Sequence, residues 1–74
     1  MEVFTKVKEL YIFGCTEGVI VINELLCPIS RIKSKFNVCT VEAINDNFLL
    51  LGEINGWLEL IDMNRYKIVL SHQK

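Results

Sequence analysis

The sequence predicts an all-β protein built from two similar units of four short antiparallel strands. Three features indicate this fold class: an internal repeat at a constant offset, short apolar segments separated by turn residues, and the continuous apolar character of the middle segments. The 74 residues are 51% hydrophobic and 23% charged, which is the composition of a folded chain and not of a disordered one.

The internal repeat is clearest around two pairs of glycines. Gly14 aligns with Gly52, and Gly18 aligns with Gly56 at the same offset. That offset extends without a gap over essentially the whole chain. A fixed period of this kind is typical of repeat architectures. We therefore expect a first unit at residues 1–36 and a second unit at residues 37–74.

Turn residues divide each unit into four segments. Asn55-Gly56 is the strongest hairpin signal, because both residue types accept positive φ, and Gly18 lies in the corresponding turn of the first unit. Pro28 breaks the chain before a fourth segment and would end any helix begun by the Leu-rich residues 24–27 within about one turn. The predicted strands are residues 2–6, 10–15, 19–23 and 29–33, then 38–44, 48–53, 57–61 and 66–72.

The middle strands are apolar at every position instead of alternating. Residues 10–13, 19–22 and 48–51 are continuous apolar runs, whereas a strand with one wet face alternates. We therefore expect the inner strands to be covered on both faces. The fourth strands are expected to be solvent-facing edges, since they are interrupted by Ser30, Arg31, Lys33 and Ser71.

The segment from Leu49 to Asp62 carries a resemblance to a known family. It reads Leu-Leu-Leu-Gly-Glu-Ile-Asn-Gly-Trp-Leu-Glu-Leu-Ile-Asp and is similar to the second and third strands of a WD-type repeat, whose third strand tends to close with Trp-Asp. Here that position holds Ile61-Asp62 in one unit and Asn23-Glu24 in the other, and the family's Gly-His pair is absent. The resemblance implies four-stranded blades of a β-propeller, and a rigid scaffold that binds proteins or peptides on its rims without catalysis. A small β-sandwich or barrel is the alternative fold.

Two blades are too few to close a propeller, which needs about four to eight. They would leave one apolar face of each sheet uncovered. We therefore expect either further blades in the same parent chain or copies of this chain assembled into a ring.

A few residues are singled out by their position in the repeat. Glu24 and Asp62 occupy equivalent positions, and we expect each carboxylate to accept backbone N–H groups of a turn. Trp57 and Tyr11 are candidate partner contacts, because aromatic residues are favoured at interface hot spots; packing between blades is the alternative. The remaining candidates are structural residues of turns and bulges: Gly14, Gly18, Gly52, Asn55 and Gly56.

Candidate catalytic groups are few. Glu53 and Glu59 flank the predicted hairpin turn, where we expect two solvated carboxylates and not an acid/base pair. His72 is the single histidine, and the adjacent Ser71 points to the opposite face of a strand, which disfavours a triad. The three cysteines have neither disulfide nor zinc spacing and are expected to be free, buried thiols. We expect no catalytic residue, no cofactor and no metal. The cysteines are Cys15, Cys27 and Cys39.

Charge and hydropathy disfavour two partner classes. The formal net charge of -1 offers no basic excess for nucleic acid, and no apolar segment is long enough to span a bilayer. Unpaired cysteines and the absence of a signal-peptide pattern indicate a reducing, cytoplasmic setting. The sequence therefore predicts a protein-interaction or scaffolding module. The alternatives are an enzyme whose central-channel site is completed by other blades, and a purely structural oligomeric β domain.

Overall fold

Eight β-strands account for nearly all of the regular structure in residues 3–73, which are the residues described by the computed structural model. The predicted all-β fold class is confirmed. The strands predicted at 10–15 and 48–53 have the predicted bounds, while the predicted start of the first strand, Glu2, lies outside the described residues. The strands are β1 (Phe4–Val7), β2 (Leu10–Cys15), β3 (Gly18–Ile22), β4 (Pro28–Lys33), β5 (Val38–Ala43), β6 (Phe48–Glu53), β7 (Trp57–Asp62) and β8 (Lys67–Gln73).

The strands form two antiparallel meanders. Sheet 1 has the order β1-β2-β3-β4, and sheet 2 has the order β5-β6-β7-β8. Each sheet is therefore made of strands that are consecutive in the chain. A short linker, 34–37, leads from the last strand of sheet 1 to the first strand of sheet 2.

The hairpin turns use the residues that tolerate unusual backbone angles. In the short turn Ile54–Gly56, Asn55 and Gly56 have φ values of 66° and 72°, in the left-handed region that Gly and Asn tolerate best. Gly18 has φ of 147°, and a Cβ there would collide with the carbonyl oxygen of Ile32 on the neighbouring strand. Only glycine fits that position without moving β4.

One face of each sheet is buried against the other sheet, and we call these the inner faces. The largest fully buried side chains come from both sheets: Ile12, Val19, Val21, Leu49, Leu51 and Ile61. Side chains alternate between the two faces along each strand. The outer faces therefore carry the intervening residues, among them Phe13 and Leu50.

The two sheets approach most closely at their first strands, where β5 lies against β1 and β2. Gly14 on β2 makes this approach possible. A Cβ at Gly14 would lie 2.5 Å from Cγ1 of Val3, and 3.0 Å from both Val38 Cγ1 and Val41 Cγ2. The glycine therefore leaves room for the valines of β5.

The internal repeat is real in the fold, but the ungapped alignment is wrong. Gly14 and Gly52 occupy equivalent positions in the two sheets and are 38 residues apart (52 − 14). Their partners on the next strand, Val19 and Leu58, are 39 residues apart (58 − 19). The extra residue lies in the turn between β6 and β7, which is longer than the turn between β2 and β3. The offset changes again before the fourth strand: Ile22 and its partner Pro28 are six residues apart, whereas the equivalent Ile61 and its partner Ile68 are seven apart (28 − 22 and 68 − 61). The offset fixed by the glycines therefore drifts from strand to strand.

Bulges in the fourth strands show the corrected alignment. Ile29 in β4 and Val69 in β8 are each the extra residue at the same place in their sheets. A bulge inserts one residue without changing the topology. The two units thus share even this irregularity, although the sequence offset does not align the two residues.

A position on the inner face of sheet 1 is equivalent to a position on the outer face of sheet 2. Ile12, two positions before Gly14, is fully buried on the inner face of sheet 1, whereas Leu50, two positions before Gly52, lies on the outer face of sheet 2. The backbone supports the equivalence. Gly14 N–H donates to the Val3 carbonyl beside β1, so the backbone groups of Gly14 point toward the first strand of sheet 1. The Phe48 carbonyl accepts from Ile44 N–H beside β5, and Gly52 lies at an even spacing from Phe48, so its backbone groups point toward the first strand of sheet 2. The sheets are thus stacked head-to-tail and are not related by a two-fold axis.

Candidate interaction faces

The outer face of sheet 2 is an apolar groove. It has a volume of about 270 Å³. Leu50, Leu60 and Leu70 stand opposite one another on three consecutive strands, and Leu70 is 61% exposed. Leu50 and Leu60 are half-buried, and a contiguous apolar row that still reaches the solvent is the kind of surface that marks an interaction site. The groove is lined by Leu50, Leu58, Leu60, Leu70 and His72.

The outer face of sheet 1 carries an aromatic cluster. The ring of Phe4 stacks on Tyr11 at 5.9 Å between centroids and contacts Phe13 at 4.9 Å. Lys6 Nζ lies 5.4 Å from the Tyr11 centroid, within the range of a cation–π contact. Phe4 and Phe13 remain 39% and 40% exposed. Tyr11, the candidate partner contact, is therefore half-buried within an open aromatic surface.

A second groove, of about 310 Å³, continues this face toward the turn between β2 and β3. Ile20 lies beside Phe13 and lines the groove, Arg31 and Lys33 supply two positive charges, and Glu17 supplies one negative charge. The outer face of sheet 1 is thus aromatic and basic, and the outer face of sheet 2 is aliphatic.

Trp57, the other candidate partner contact, packs against the linker between the sheets. Its ring meets Phe36 edge-on at 5.8 Å between centroids, and Lys35 Nζ lies 4.5 Å from the ring centroid. Trp57 is half-buried. These contacts are with the linker and not between the two sheets, and the role of Trp57 as a partner contact stays a prediction.

The expectation of two solvated carboxylates at the second hairpin is wrong. Glu53 and Glu59 are only 5% and 4% exposed, because the linker passes over the ends of β6 and β7. Phe36 N–H donates to Glu53 Oε1 at 2.7 Å, and Lys35 N–H donates to Glu59 Oε1 at 2.9 Å. Ser71 Oγ donates to Glu59 Oε2 at 2.7 Å.

Burial, together with the adjacent Glu59 side chain, raises the pKa of Glu53 to about 7. For Glu59, burial also acts to raise the pKa, but hydrogen bonds from Glu53, the Lys35 amide and Ser71 outweigh it, so the pKa lies below its ordinary value. Within residues 3–73 the buried Glu53 Oε2 has no hydrogen-bond partner in the static geometry, and the Glu59 side chain is the neighbour that raises its pKa. A proton on Glu53 shared with an ionised Glu59 satisfies both groups.

The turn between β3 and β4 differs from the sequence expectation. The carboxylate of Glu24 is exposed, and the turn amides are bonded instead by Asn23, whose Oδ1 accepts from Leu25 N–H and Cys27 N–H at 3.0 Å each. An Asn side chain suits this role, because it is short and hydrogen-bonds the backbone two residues on. Asp62 does accept a turn amide, that of Asn64, at 2.9 Å.

The same turn displays the most exposed large apolar residues of the described chain. Leu25 and Leu26 are 82% and 78% exposed, and Leu26 has φ of 63°. From the sequence, we expected any helix begun by residues 24–27 to be ended by Pro28 within about one turn. The signal that was missed is Asn23, which precedes the two leucines and fixes the turn that presents them.

The remaining candidate side chains lie apart. His72 lines the outer groove, whereas its neighbour Ser71 turns toward Glu59. Cys15 and Cys27 are exposed, so the expectation of buried thiols is wrong for these two, and Cys39 is half-buried. Within residues 3–73 no three His, Cys, Asp or Glu side chains are grouped as metal ligands, and no helix is long and apolar enough to cross a membrane.

Comparison with known proteins gives no match to a family model, to a curated protein or to a solved structure.

Proposed function

We propose that the chain is a non-catalytic protein-interaction or scaffolding module that contributes two consecutive blades to a larger or self-assembled β-propeller. The observation that carries this proposal is the head-to-tail relation of the two sheets, which leaves a different apolar face open at each end. A propeller is built by repeating such a stack around an axis.

The open faces support an interaction role. Apolar groups buried in an interface contribute roughly 25 cal/mol per Å² removed from water. Phe4, Phe13 and Leu70 are each about two-fifths or more exposed, so covering both outer faces stabilises an assembled state relative to the separate chain. Singly scattered apolar residues need no such explanation, but these lie in continuous rows.

The turn at Leu25 and Leu26 supports binding on a rim. The two side chains project from a turn that is held by hydrogen bonds to Asn23. Ordering this turn in advance lowers the entropy lost when a partner covers the leucines. A partner with an apolar pocket fits this feature.

The paired glutamates support a structural and not a catalytic role. Both carboxyl groups are buried and hydrogen-bonded to the linker amides of Lys35 and Phe36. A general acid or base must reach a substrate within hydrogen-bond distance, and these oxygens already bind the chain itself. We also place the protein in the cytoplasm, on the support of cysteines that are free and partly exposed and would persist as thiols in a reducing compartment.

Hydroxyl-radical footprinting over a concentration series tests the proposal. We expect Phe13 and Leu60 to become protected as the chain associates, while Ile54, exposed at the hairpin tip and away from both outer faces, stays reactive. A cooperatively folded chain whose outer-face side chains react equally at every concentration would contradict the proposal.

A further inference from the structure

We propose that the occupant of the outer face of sheet 2 is a second copy of this chain, seated through the outer face of its sheet 1, so that copies stack head-to-tail into a closed ring. This inference rests on the proposed function and names its partner. The contact is heterologous, because the outer face of sheet 2 in one copy packs against the outer face of sheet 1 in the next.

The interface already present within the chain is the template for this contact. Inside one chain, sheet 2 covers the face of sheet 1 that carries Ile12 and Gly14. The equivalent face of sheet 2 carries Leu50 and Gly52 and is open. Likewise the face of sheet 2 buried in the chain, with Leu51, is equivalent to the open face of sheet 1, with Phe13. A second copy therefore continues an interface whose geometry this sequence already forms.

The register identifies which side chains meet. Phe4 is equivalent to Val41, because they pair with the equivalent residues Phe13 and Leu51. Val41 Cγ2 lies 3.0 Å from the position of a Cβ on Gly14. In the same stacking, Phe4 of the next copy lies over Gly52. On the outer face the Thr40 side chain lies over Gly52, where a Cβ on Gly52 would collide with Thr40 Oγ1, so the Phe4 ring of the next copy would pack against Thr40.

Charge complementarity supports the same pairing. In the chain, β5 packs over β1 and β2, so β1 of the next copy would pack over β5 and β6. The outer-face charge on β1 is Lys6, and the outer-face charge on β5 is Glu42. The strands placed together thus carry opposite charges. Among described strand residues, the outer face of sheet 1 is basic, with Lys6, Arg31 and Lys33.

A mixing experiment separates this head-to-tail contact from other contacts. Phe13→Glu spoils only the sheet 1 outer face, and Leu60→Glu spoils only the sheet 2 outer face. We expect each variant alone to be a folded monomer by circular dichroism and sedimentation velocity. Mixed in equal amounts they should form a complex of one copy of each, because the mixture retains one intact pair of faces.

A second pair of variants avoids changing apolar residues. Lys6→Glu and Glu42→Lys should each weaken assembly by roughly two- to fivefold at low salt, and the double variant should recover most of it. Both side chains are exposed, so their exchange leaves the core intact.

Different failures have different meanings. If Phe13→Glu assembles as the unaltered chain does while Leu60→Glu is monomeric, two sheet 2 faces pair with each other. The head-to-tail inference is then wrong, although an interaction role for the face stands. If the unaltered chain is a folded monomer with reactive outer faces, the inference and the proposed function both fail.

Discussion

Glu53 and Glu59 accept hydrogen bonds from two successive backbone amides, those of Phe36 and Lys35, at 2.7 and 2.9 Å. The two carboxyl groups lie on adjacent strands of sheet 2, and the amides belong to the linker that enters it from sheet 1. The relationship joins the two halves of the chain. It also makes the connection sensitive to the protonation of a buried pair.

Stability should fall as pH rises from about 4.5 to about 7. Burial and Glu59 raise the pKa of Glu53 to about 7 from 4.5, so in this window the folded chain holds a proton that the unfolded chain releases. Its contribution is complete below pH 4.5 and is lost as pH rises through about 7, an effect of about 1–3 kcal/mol. Urea denaturation at several pH values measures it.

Glu53→Gln is the matched variant for this pH dependence. The amide keeps the oxygen that accepts from Phe36 and presents a permanent donor toward Glu59. The slope of stability against pH between 4.5 and about 7 should disappear. A variant that retains the full slope would assign it to another group. Glu59 acts in the opposite sense at lower pH, because its pKa is lowered and its contribution is lost as pH falls through that value.

Glu59→Ala should lower the free energy of unfolding by about 1–3 kcal/mol, because it removes the acceptor for Lys35 N–H and for Ser71 Oγ. Ser71→Ala serves as the smaller comparison, since it deletes one hydrogen bond worth about 1 kcal/mol. Denaturant titration of both variants checks the order. Equal effects would mean that the bond to the linker contributes nothing.

Gly14→Ala should destabilise the chain by about 1–3 kcal/mol through overpacking. The added Cβ meets Val3 Cγ1 at 2.5 Å. Val3→Ala removes that methyl group, so the cost of Gly14→Ala should be smaller in the Val3→Ala background. A double-mutant cycle measures this coupling. Strictly additive effects would show that the added Cβ is accommodated without pressing on Val3.

Leu26→Asn should stabilise the chain by about 0.5–1 kcal/mol, because Leu26 has φ of 63°, a region that costs most L-residues about 1–2 kcal/mol and that Asn tolerates better. The side chain is 78% exposed, so little packing is lost. Leu25→Asn is the control, since Leu25 has no positive φ and should gain nothing. Thermal melts of the two variants should therefore differ in sign or size.

The positions of the strands along the chain were predictable, although most of their bounds were not, because local signals agree with the fold. Apolar runs end at turn residues, and Asn55-Gly56 forms the expected turn. Local and tertiary preferences coincide at these places. The continuous apolar runs predicted cover on both faces of the inner strands, but within residues 3–73 the chain covers only one; Phe13 and Leu50 lie on the outer faces, whose cover stays a prediction.

The burial of the glutamate pair was not predictable from local pattern. Glu53 and Glu59 look like surface residues at a strand end, and only the path of residues 34–37 across β6 and β7 covers them. The drift of the repeat offset was hidden for a related reason. The paired residues that flank the second and third turns are one position farther apart in the second unit, and this spacing is decided by the pairing of the flanking strands. Both features depend on contacts between separate segments of the chain.

Sedimentation equilibrium of the unaltered chain at neutral pH tests most directly whether the open outer faces drive association of the chain with further copies. Because propellers close with about four to eight blades, a two-blade chain of 8.5 kDa should give one limiting mass equal to two, three or four chains. A cooperatively folded species that stays at 8.5 kDa at every concentration would contradict it.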